Sequence, residues 1–192
     1  MSIMSKWLKL CGICNKRKSN AKLIKLGSRI SIPREQDFRQ HGALPEVQDQ
    51  GHIPTCWAFG PLAAIEAAYQ LITGKLLKFS EQEIVNHYWS AASKREKRLM
   101  RNIGYYSELT FEYLISKGKI SLAADYPYKT AFGKCKRLDA RKLVDPLVRG
   151  YIQVPNDEVA LQIAVATQPV TVALEIDEVY NNYNPEVYSY IS

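Results

Sequence analysis

The sequence predicts an α+β fold in which helices come first and a strand arrives late. Two patterns support this class. Apolar residues recur at helical spacing in several segments between residues 56 and 118, whereas a short segment near the carboxyl end alternates like a half-buried strand. With 46% apolar and 23% charged residues, the 192-residue chain has the composition of a globular protein of one domain or two small lobes. No apolar run approaches the ~20 residues that a transmembrane helix needs.

Positive charge is concentrated at the amino end. Residues 1–40 hold ten Lys and Arg residues against Glu35 and Asp37, a net of +8, so the other residues together are close to neutral. Such an arm can contact nucleic acid or an anionic membrane, but it is more often a solvated tail. We therefore expect residues 1–31 to be a flexible basic arm without a nucleic-acid partner. Its start is a poor secretory signal.

The cysteine pattern points to no metal site. Cys11 and Cys14 form one C-x-x-C in the basic arm, but structural zinc usually takes four ligands, and the three histidines provide no second pair at finger-like spacing. We expect neither a metal nor another cofactor. A nucleic-acid or metal module built on the arm is a minor alternative.

The strongest helix prediction covers residues 56–73, where Ala and Leu are frequent. Thr55 is its expected N-cap, and Gly74 is its expected C′ residue. Pro61 conflicts with this helix, because proline lacks the N–H that would bond to the carbonyl four residues earlier, and we expect a kink. The preceding residues 33–51 are turn-rich and predict irregular structure around a short extended piece.

Three further helices are predicted. One begins at Ser80, which forms a capping box with Glu83. Another covers residues 107–118 and ends at its glycine. The last covers residues 156–166, with Asn156 as its cap.

The remaining segments are a charged stretch, a strand and a tail. Residues 92–102 are rich in Lys and Arg and predict a solvated surface loop rather than a binding patch. Residues 169–176 alternate apolar with other side chains and predict a half-buried strand. Residues 178–192 are rich in tyrosine.

Cys56 is a candidate nucleophile on physical grounds alone. It lies where a loop enters an apolar helix, and the N–H groups and dipole at that end favour a thiolate. From the preceding loop, the amide of Gln50 and the backbone N–H of Cys56 can both point at a developing oxyanion. Trp57 is expected to bury in the core and hold the turn. A buried structural cysteine is the alternative for Cys56.

Several motifs resemble those of one enzyme family. VQDQGHIPTCWAF resembles the nucleophile segment of the papain-like cysteine peptidases, in which Q-G-x-C-G-S-C-W-A-F is typical. PREQDFRQHGAL is similar to the family's mature amino end, SEQEIVNH to its S-E-Q-E-L-V-D-C, NIGYY to its N-G-G, and DYPYKTAFGKCK to its Y-P-Y…C. VPNDEVALQIAVATQPVTVALE continues the similarity, which covers about residues 32–190 in unbroken order. On these motifs the chain is identified as a member of that family.

The resemblance implies a fold of two lobes. The papain-like domain would cover residues 32–192. Its mainly helical left lobe, residues 32–145, is expected to be essentially complete. Residues 146–192 would begin a right lobe whose β-barrel is incomplete.

The resemblance also implies roles for individual residues. Cys56 matches the family's nucleophile, and Gln50 matches the glutamine of its oxyanion hole. Gly104 matches a glycine whose backbone pairs with the main chain of the substrate. We assign Gly104 and the motif tryptophan, Trp57, to substrate binding.

The general base of the family has no counterpart. That base is a histidine of D-H-A-V, and an asparagine of N-S-W-G orients it. The chain stops at Ser192, before either segment, and no histidine follows His87. His52 lies only four residues before Cys56 but is expected to face solvent, and His41 is also expected to be exposed.

The family's disulfides are lost as well. By alignment, Ile53 and Arg101 replace one bridged pair. His87 replaces the partner of Cys135, so we expect Cys135 to be unpaired and His87 to pack on a helix face.

The leading hypothesis is a papain-family cysteine peptidase that is inactive as this chain, because the histidine and asparagine are missing. The alternative is a non-catalytic pseudo-peptidase that only binds peptide or protein partners. Two substitutions favour it: Pro54 replaces a glycine beside the nucleophile, and Ile103 replaces the first glycine of N-G-G and is expected to crowd the cleft. The expected partners are a peptide or protein substrate and a protein that covers the exposed right-lobe strand. The family is usually vacuolar, lysosomal or secreted, and the sequence assigns no compartment.

Overall fold

The computed structural model describes residues 22–23, 32–136 and 139–173. The helices in these residues are α1 (Cys56–Thr73), α2 (Glu81–Ala91), α3 (Lys94–Asn102), α4 (Glu108–Lys117) and α5 (Glu158–Thr167), with 3₁₀ helices at Phe38–His41 and Ala140–Lys142. The strands are β1 (Lys22–Leu23), β2 (Ile120–Ser121), β3 (Leu143–Val144) and β4 (Ile152–Gln153). Strand β1 pairs in parallel with β4, and β2 pairs antiparallel with β3. Helices dominate and strands are short, which confirms the predicted α+β class.

Helix α1 has the predicted bounds. Gly74 ends it in the left-handed conformation, with φ 72°, and its N–H donates to the Gln70 carbonyl at 2.8 Å. Thr55 occupies the N-cap position, but its side chain does not cap the helix. The hydroxyl is instead 2.7 Å from Tyr128 Oη, so a tertiary contact has displaced the local one.

Pro61 lies inside α1 and has no N–H to donate to the carbonyl of Trp57. The hydroxyl of Thr110, on α4, donates to that carbonyl at 3.0 Å. Both Pro61 and Thr110 are buried, so water is not the replacement donor. A contact between helices therefore takes the place of the missing helical hydrogen bond, and α1 continues through the proline.

Ser80 is the N-cap of α2, as predicted, and its Oγ accepts from the Glu83 N–H at 3.0 Å. The reciprocal half of the capping box is not formed. The Glu83 carboxylate accepts instead from Tyr113 Oη at 2.6 Å and from the Ser121 N–H at 2.8 Å. Glu83 thereby ties α2 to α4 and β2.

The prediction of a loop over residues 92–102 is wrong, because most of this segment forms α3. Ser93 and Glu96 make a reciprocal capping box at its start, and Met100 is fully buried on its inner face. Two cationic side chains of α3 also lie over the ring of Trp89. The charge density of the segment hid these helix signals, although its outer positions are exposed as expected.

The carboxyl-terminal predictions need two corrections. Helix α5 is capped by Asp157, whose carboxylate accepts from the Ala160 N–H at 2.8 Å, rather than by Asn156. The helix begins one residue after Asp157, so that side chain is the one within reach of the first turn. The described part of the predicted strand, residues 169–173, forms no strand and has no paired neighbour in the described residues, while residues 174–176 lie outside them.

The core lies between α1, α2 and α4 and beneath β2. Its largest buried members are Trp57, Leu62, Ile65, Phe79, Ile84, Val85, Met100, Tyr113, Leu114 and Ile120. Cys11, Cys14 and the tyrosine-rich tail lie outside the described residues. None of the helices in the described ranges combines the length and hydropathy that crossing a bilayer requires.

Candidate active site

Cys56 is the first residue of α1, and its side chain is exposed and not disulfide-bonded. The Thr55 carbonyl accepts from the N–H groups of Ala58 and Phe59 at 2.9 and 3.3 Å, so the helix starts directly at the cysteine. The positive end of the helix dipole therefore lies at the thiol. Because the side chain is exposed, the alternative of a buried structural cysteine is wrong.

Gln50 lies in the loop before the helix and is half-buried. Its backbone carbonyl accepts from Tyr128 Oη at 2.8 Å. Its side-chain Oε1 is buried and has no hydrogen-bond partner among the described residues. A buried polar atom without a partner costs about 1–3 kcal/mol. This oxygen is therefore not used to hold the fold together.

The hydroxyl of Tyr128 joins the two halves of the site. It donates to the Gln50 carbonyl, and since it has one proton it accepts from Thr55 Oγ1 at 2.7 Å. The Tyr128 ring also meets Phe59 edge-on, with centroids 4.8 Å apart. No local pattern in the sequence indicates these contacts of Tyr128, because its partners lie 73 and 78 positions away.

The segment that carries Tyr128 is anchored to α2. Gln82 accepts from the Lys129 N–H and donates to the Ala131 carbonyl, both at 2.8 Å. Between them, Thr130 adopts a φ of 51°, which is rare for a β-branched residue. A Cβ on Gly51 would lie 2.3 Å from Thr130 Cγ2, so only glycine fits beside this segment. The loop that carries Gln50 therefore packs against a segment that is itself hydrogen-bonded to α2.

Gly104 lies in a buried turn after α3, with φ 105°. A Cβ there would lie 3.1 Å from the Pro54 carbonyl oxygen and 3.7 Å from Trp57 Cδ1, so a side chain would strain both the backbone and its neighbours. Its N–H donates to the Leu99 carbonyl at 3.3 Å. A peptide that pairs with this N–H must displace that long hydrogen bond. The neighbouring Ile103 is 59% exposed.

Trp57 is 1% exposed and lies in the core, as predicted. Its ring meets Tyr88 and Tyr105 edge-on, at centroid distances of 6.0 and 5.7 Å. Because the ring is buried, it cannot form the surface that a substrate touches. Any contribution of Trp57 to substrate binding is therefore indirect, through the position of Gly104.

The three histidines all lie in the described residues, and none is hydrogen-bonded to the Cys56 thiol. His41 and His52 are exposed, as predicted. His87 packs on the inner side of α2, against two tyrosine rings at 5.1 and 4.8 Å. Burial lowers the pKa of His87, which suits a packed neutral imidazole.

Cys135 is a free thiol, as predicted, and its N–H donates to Ser90 Oγ at 2.9 Å. Partial burial raises the pKa of this thiol, with Glu83 adding to the effect. Over the ranges that the structure describes, no group of three or more His, Cys, Asp and Glu side chains could hold a metal ion.

Comparisons with known proteins agree on one family. Residues 32–192 match the family described as papain family cysteine protease. Vignain of Phaseolus vulgaris is 41% identical over 149 residues, which are 76% of this chain and 38% of vignain. The low-temperature-induced cysteine proteinase of Solanum lycopersicum is 40% identical over 162 residues, which are 84% of this chain and 44% of that protein. The chain thus spans about two fifths of the length of these relatives.

A solved protease structure also resembles the fold of this chain. The bromelain protease from Ananas comosus, solved in complex with the E64 inhibitor, superimposes with a TM-score of 0.66 at 31% identity, covering 79% of this chain and 66% of its own. This likeness confirms the papain-like fold that the motifs predicted, with a helical left lobe and few strands beyond it.

Proposed function

Because the chain belongs to the papain family of cysteine proteases, we propose that residues 32–192 are a peptidase domain whose nucleophile is Cys56. Residues 32–145 form its left lobe, and residues 146–192 begin its right lobe. The proposed substrates are peptides or proteins, and Gly104 is their main-chain contact.

One observation carries the proposal. An exposed thiol and a glutamine whose side-chain oxygen has no partner in the described residues lie on the two segments that Tyr128 Oη joins. In the proposed reaction the Cys56 sulfur bonds to the substrate carbonyl carbon, and the carbonyl oxygen takes the negative charge. The Gln50 side-chain N–H and the Cys56 backbone N–H donate to that oxygen, and the loss of one such donor typically costs roughly 100-fold to 1,000-fold in rate.

Turnover also needs a base that takes the thiol proton and returns it to the leaving amine. None of the three histidines of the 192 residues is paired with Cys56. We therefore propose that this chain presents a reactive nucleophile but does not by itself turn over peptides. An active site of full efficiency requires an imidazole from beyond these residues.

Incubation of the chain with E64 tests the nucleophile. The thiol should open the epoxide, forming a carbon–sulfur bond while the epoxide oxygen takes the proton. Mass spectrometry should find one adduct, located at Cys56 and absent from the Cys56→Ser variant. Cys135 is an exposed internal control, because it lacks the oxyanion loop and its pKa is raised. Equal labelling of both thiols, or no labelling of Cys56, contradicts the proposal.

A second candidate is a non-catalytic relative that binds peptide or protein partners. The hydrogen bond from Gly104 to Leu99 and the exposed side chain of Ile103 favour it, since both hinder the pairing of a substrate main chain. A partner that covers the right-lobe strand has less support, because residues 169–173 form no strand. Alkylation of Cys56 by a peptidyl epoxide much faster than that of Cys135 excludes this candidate, whereas peptide binding with equally slow alkylation of the two thiols supports it.

A further inference from the structure

Helix α3 carries a concentrated cationic face. Lys94, Lys97, Arg98 and Arg101 occupy positions i, i+3, i+4 and i+7, and with Asn102 they line one surface pocket of about 460 Å³. None of the four forms a salt bridge with an acidic side chain in the described part of the chain. The pocket is therefore a local excess of positive charge.

Except for Arg101, which lies at the negative end of the helix dipole, this charge does not stabilise the helix. Like charges at i,i+4 repel, and Lys94 lies at the positive end of the helix dipole. The helix is held instead by the capping box of Ser93 and Glu96 and by buried Met100. Glu96 also accepts from Tyr105 Oη at 3.2 Å, which ties α3 to the turn beyond Gly104. Lys94 and Arg98 form neither a salt bridge nor a cation–π contact in the described residues, so their charge is available to a negatively charged partner.

An aromatic stack holds two of the four charges in place. Lys97 Nζ and Arg101 Cζ lie 5.4 and 4.9 Å from the ring centroid of Trp89, and that ring stacks on Phe132 at 4.4 Å. A cation held over a ring loses less freedom when it binds an anion. The pocket is therefore partly preorganised.

The carboxyl end of the cationic face lies next to the proposed main-chain contact, because α3 ends at Asn102, two residues before Gly104. Leu99 of α3 accepts from the N–H groups of Ile103 and Gly104 at 2.9 and 3.3 Å. The nine residues of α3 span about 13 Å, and an extended peptide rises ~3.3 Å per residue. Roughly four residues of a peptide bound at Gly104 would therefore cover the length of α3.

We infer that the cationic face of α3 selects peptide substrates with Asp or Glu side chains in the residues next to the one bound at Gly104. The inference rests on the proposed function, because it takes Gly104 as the main-chain contact. An acidic peptide fits better than a nucleic acid, since four cations on one short helix form a pocket rather than a track along a phosphate backbone.

Two matched peptidyl epoxides test this selection, one with two Glu residues at these positions and one with two Gln residues. The rate of Cys56 alkylation should be about threefold to tenfold higher with the Glu reagent, the range expected for one or two partly exposed charge contacts. The advantage should shrink in high salt. The variant in which Lys94, Lys97, Arg98 and Arg101 are all replaced by Gln should lose the advantage, and the control Lys75→Gln/Lys119→Gln, which removes two exposed cations elsewhere, should keep it.

The outcomes separate the two proposals. Equal rates for both reagents, or an advantage that survives in the α3 variant, overturns the inference and leaves the nucleophile in place. Failure of both reagents to alkylate Cys56 faster than Cys135 overturns the proposed function, and the inference with it. The rate with the Gln reagent checks folding, because it should be the same in all three proteins.

Discussion

Replacement of Thr110 by valine tests how α1 tolerates its internal proline. The Thr110 hydroxyl donates to the Trp57 carbonyl at 3.0 Å, and this is the carbonyl that residue 61 would bond to if it were not proline. Valine keeps the branched shape and removes the donor. The carbonyl then stays buried between α1 and α4 without a partner.

The expected loss of stability follows from this burial. Thr110 is 0% exposed, so water cannot reach the carbonyl from that side. A buried acceptor left without its donor costs about 1–3 kcal/mol of unfolding free energy. In a Pro61→Ala background the alanine N–H can bond to the Trp57 carbonyl, so the same Thr110→Val change should cost much less. The coupling between the two positions should therefore be about 1–2 kcal/mol.

Urea unfolding of the full chain, followed by circular dichroism, measures all four proteins of this cycle. Thr73→Val is the matched control, because its hydroxyl donates to the Tyr69 carbonyl at 2.8 Å within the last turn of α1, far from the proline. It should show no coupling to Pro61→Ala. An equal cost of Thr110→Val in both backgrounds would refute the compensation.

Two further predictions concern the site and the core. Tyr128→Phe removes the donor to the Gln50 carbonyl, so affinity for a peptidyl aldehyde, whose adduct places an oxygen at the oxyanion site, should fall about tenfold while the iodoacetamide rate at Cys56 stays constant. If the aldehyde affinity and the iodoacetamide rate fell by the same factor, the substitution would have disturbed the fold in general. Burial raises the pKa of Glu66 to about 7, above the ordinary value of 4.5 for this carboxyl group. The folded chain therefore binds this proton more tightly than the unfolded chain does. The unfolding free energy should fall as the pH rises from 4.5 to about 7, by at most ~1.4 kcal/mol per pH unit. Glu66→Gln should flatten the pH profile, and an unchanged slope would assign it to another group.

Local signals were sufficient where one turn of chain decides the structure. The bounds of α1, the N-cap Ser80 and the terminal glycines Gly74 and Gly118 follow from propensity and capping, which act over three or four residues. The same kind of signal marks Ser93 at the start of α3, where it forms a capping box with Glu96. The high charge of that segment is also typical of a surface loop, and this is why the helix is not predicted.

The sequence by itself determined the family, the main helices and the two residues proposed for the chemistry, Cys56 and Gln50. Motifs and helical periodicity are patterns of residues that lie close together in the chain, so the sequence shows them directly. Only the tertiary structure decided what supports them. Tyr128 reaches Gln50 across 78 positions, and Thr110 reaches the Trp57 carbonyl across 53. Such contacts depend on how the helices pack against one another. Packing brings together residues that are distant in the sequence, and the local sequence pattern around one of them does not indicate the other.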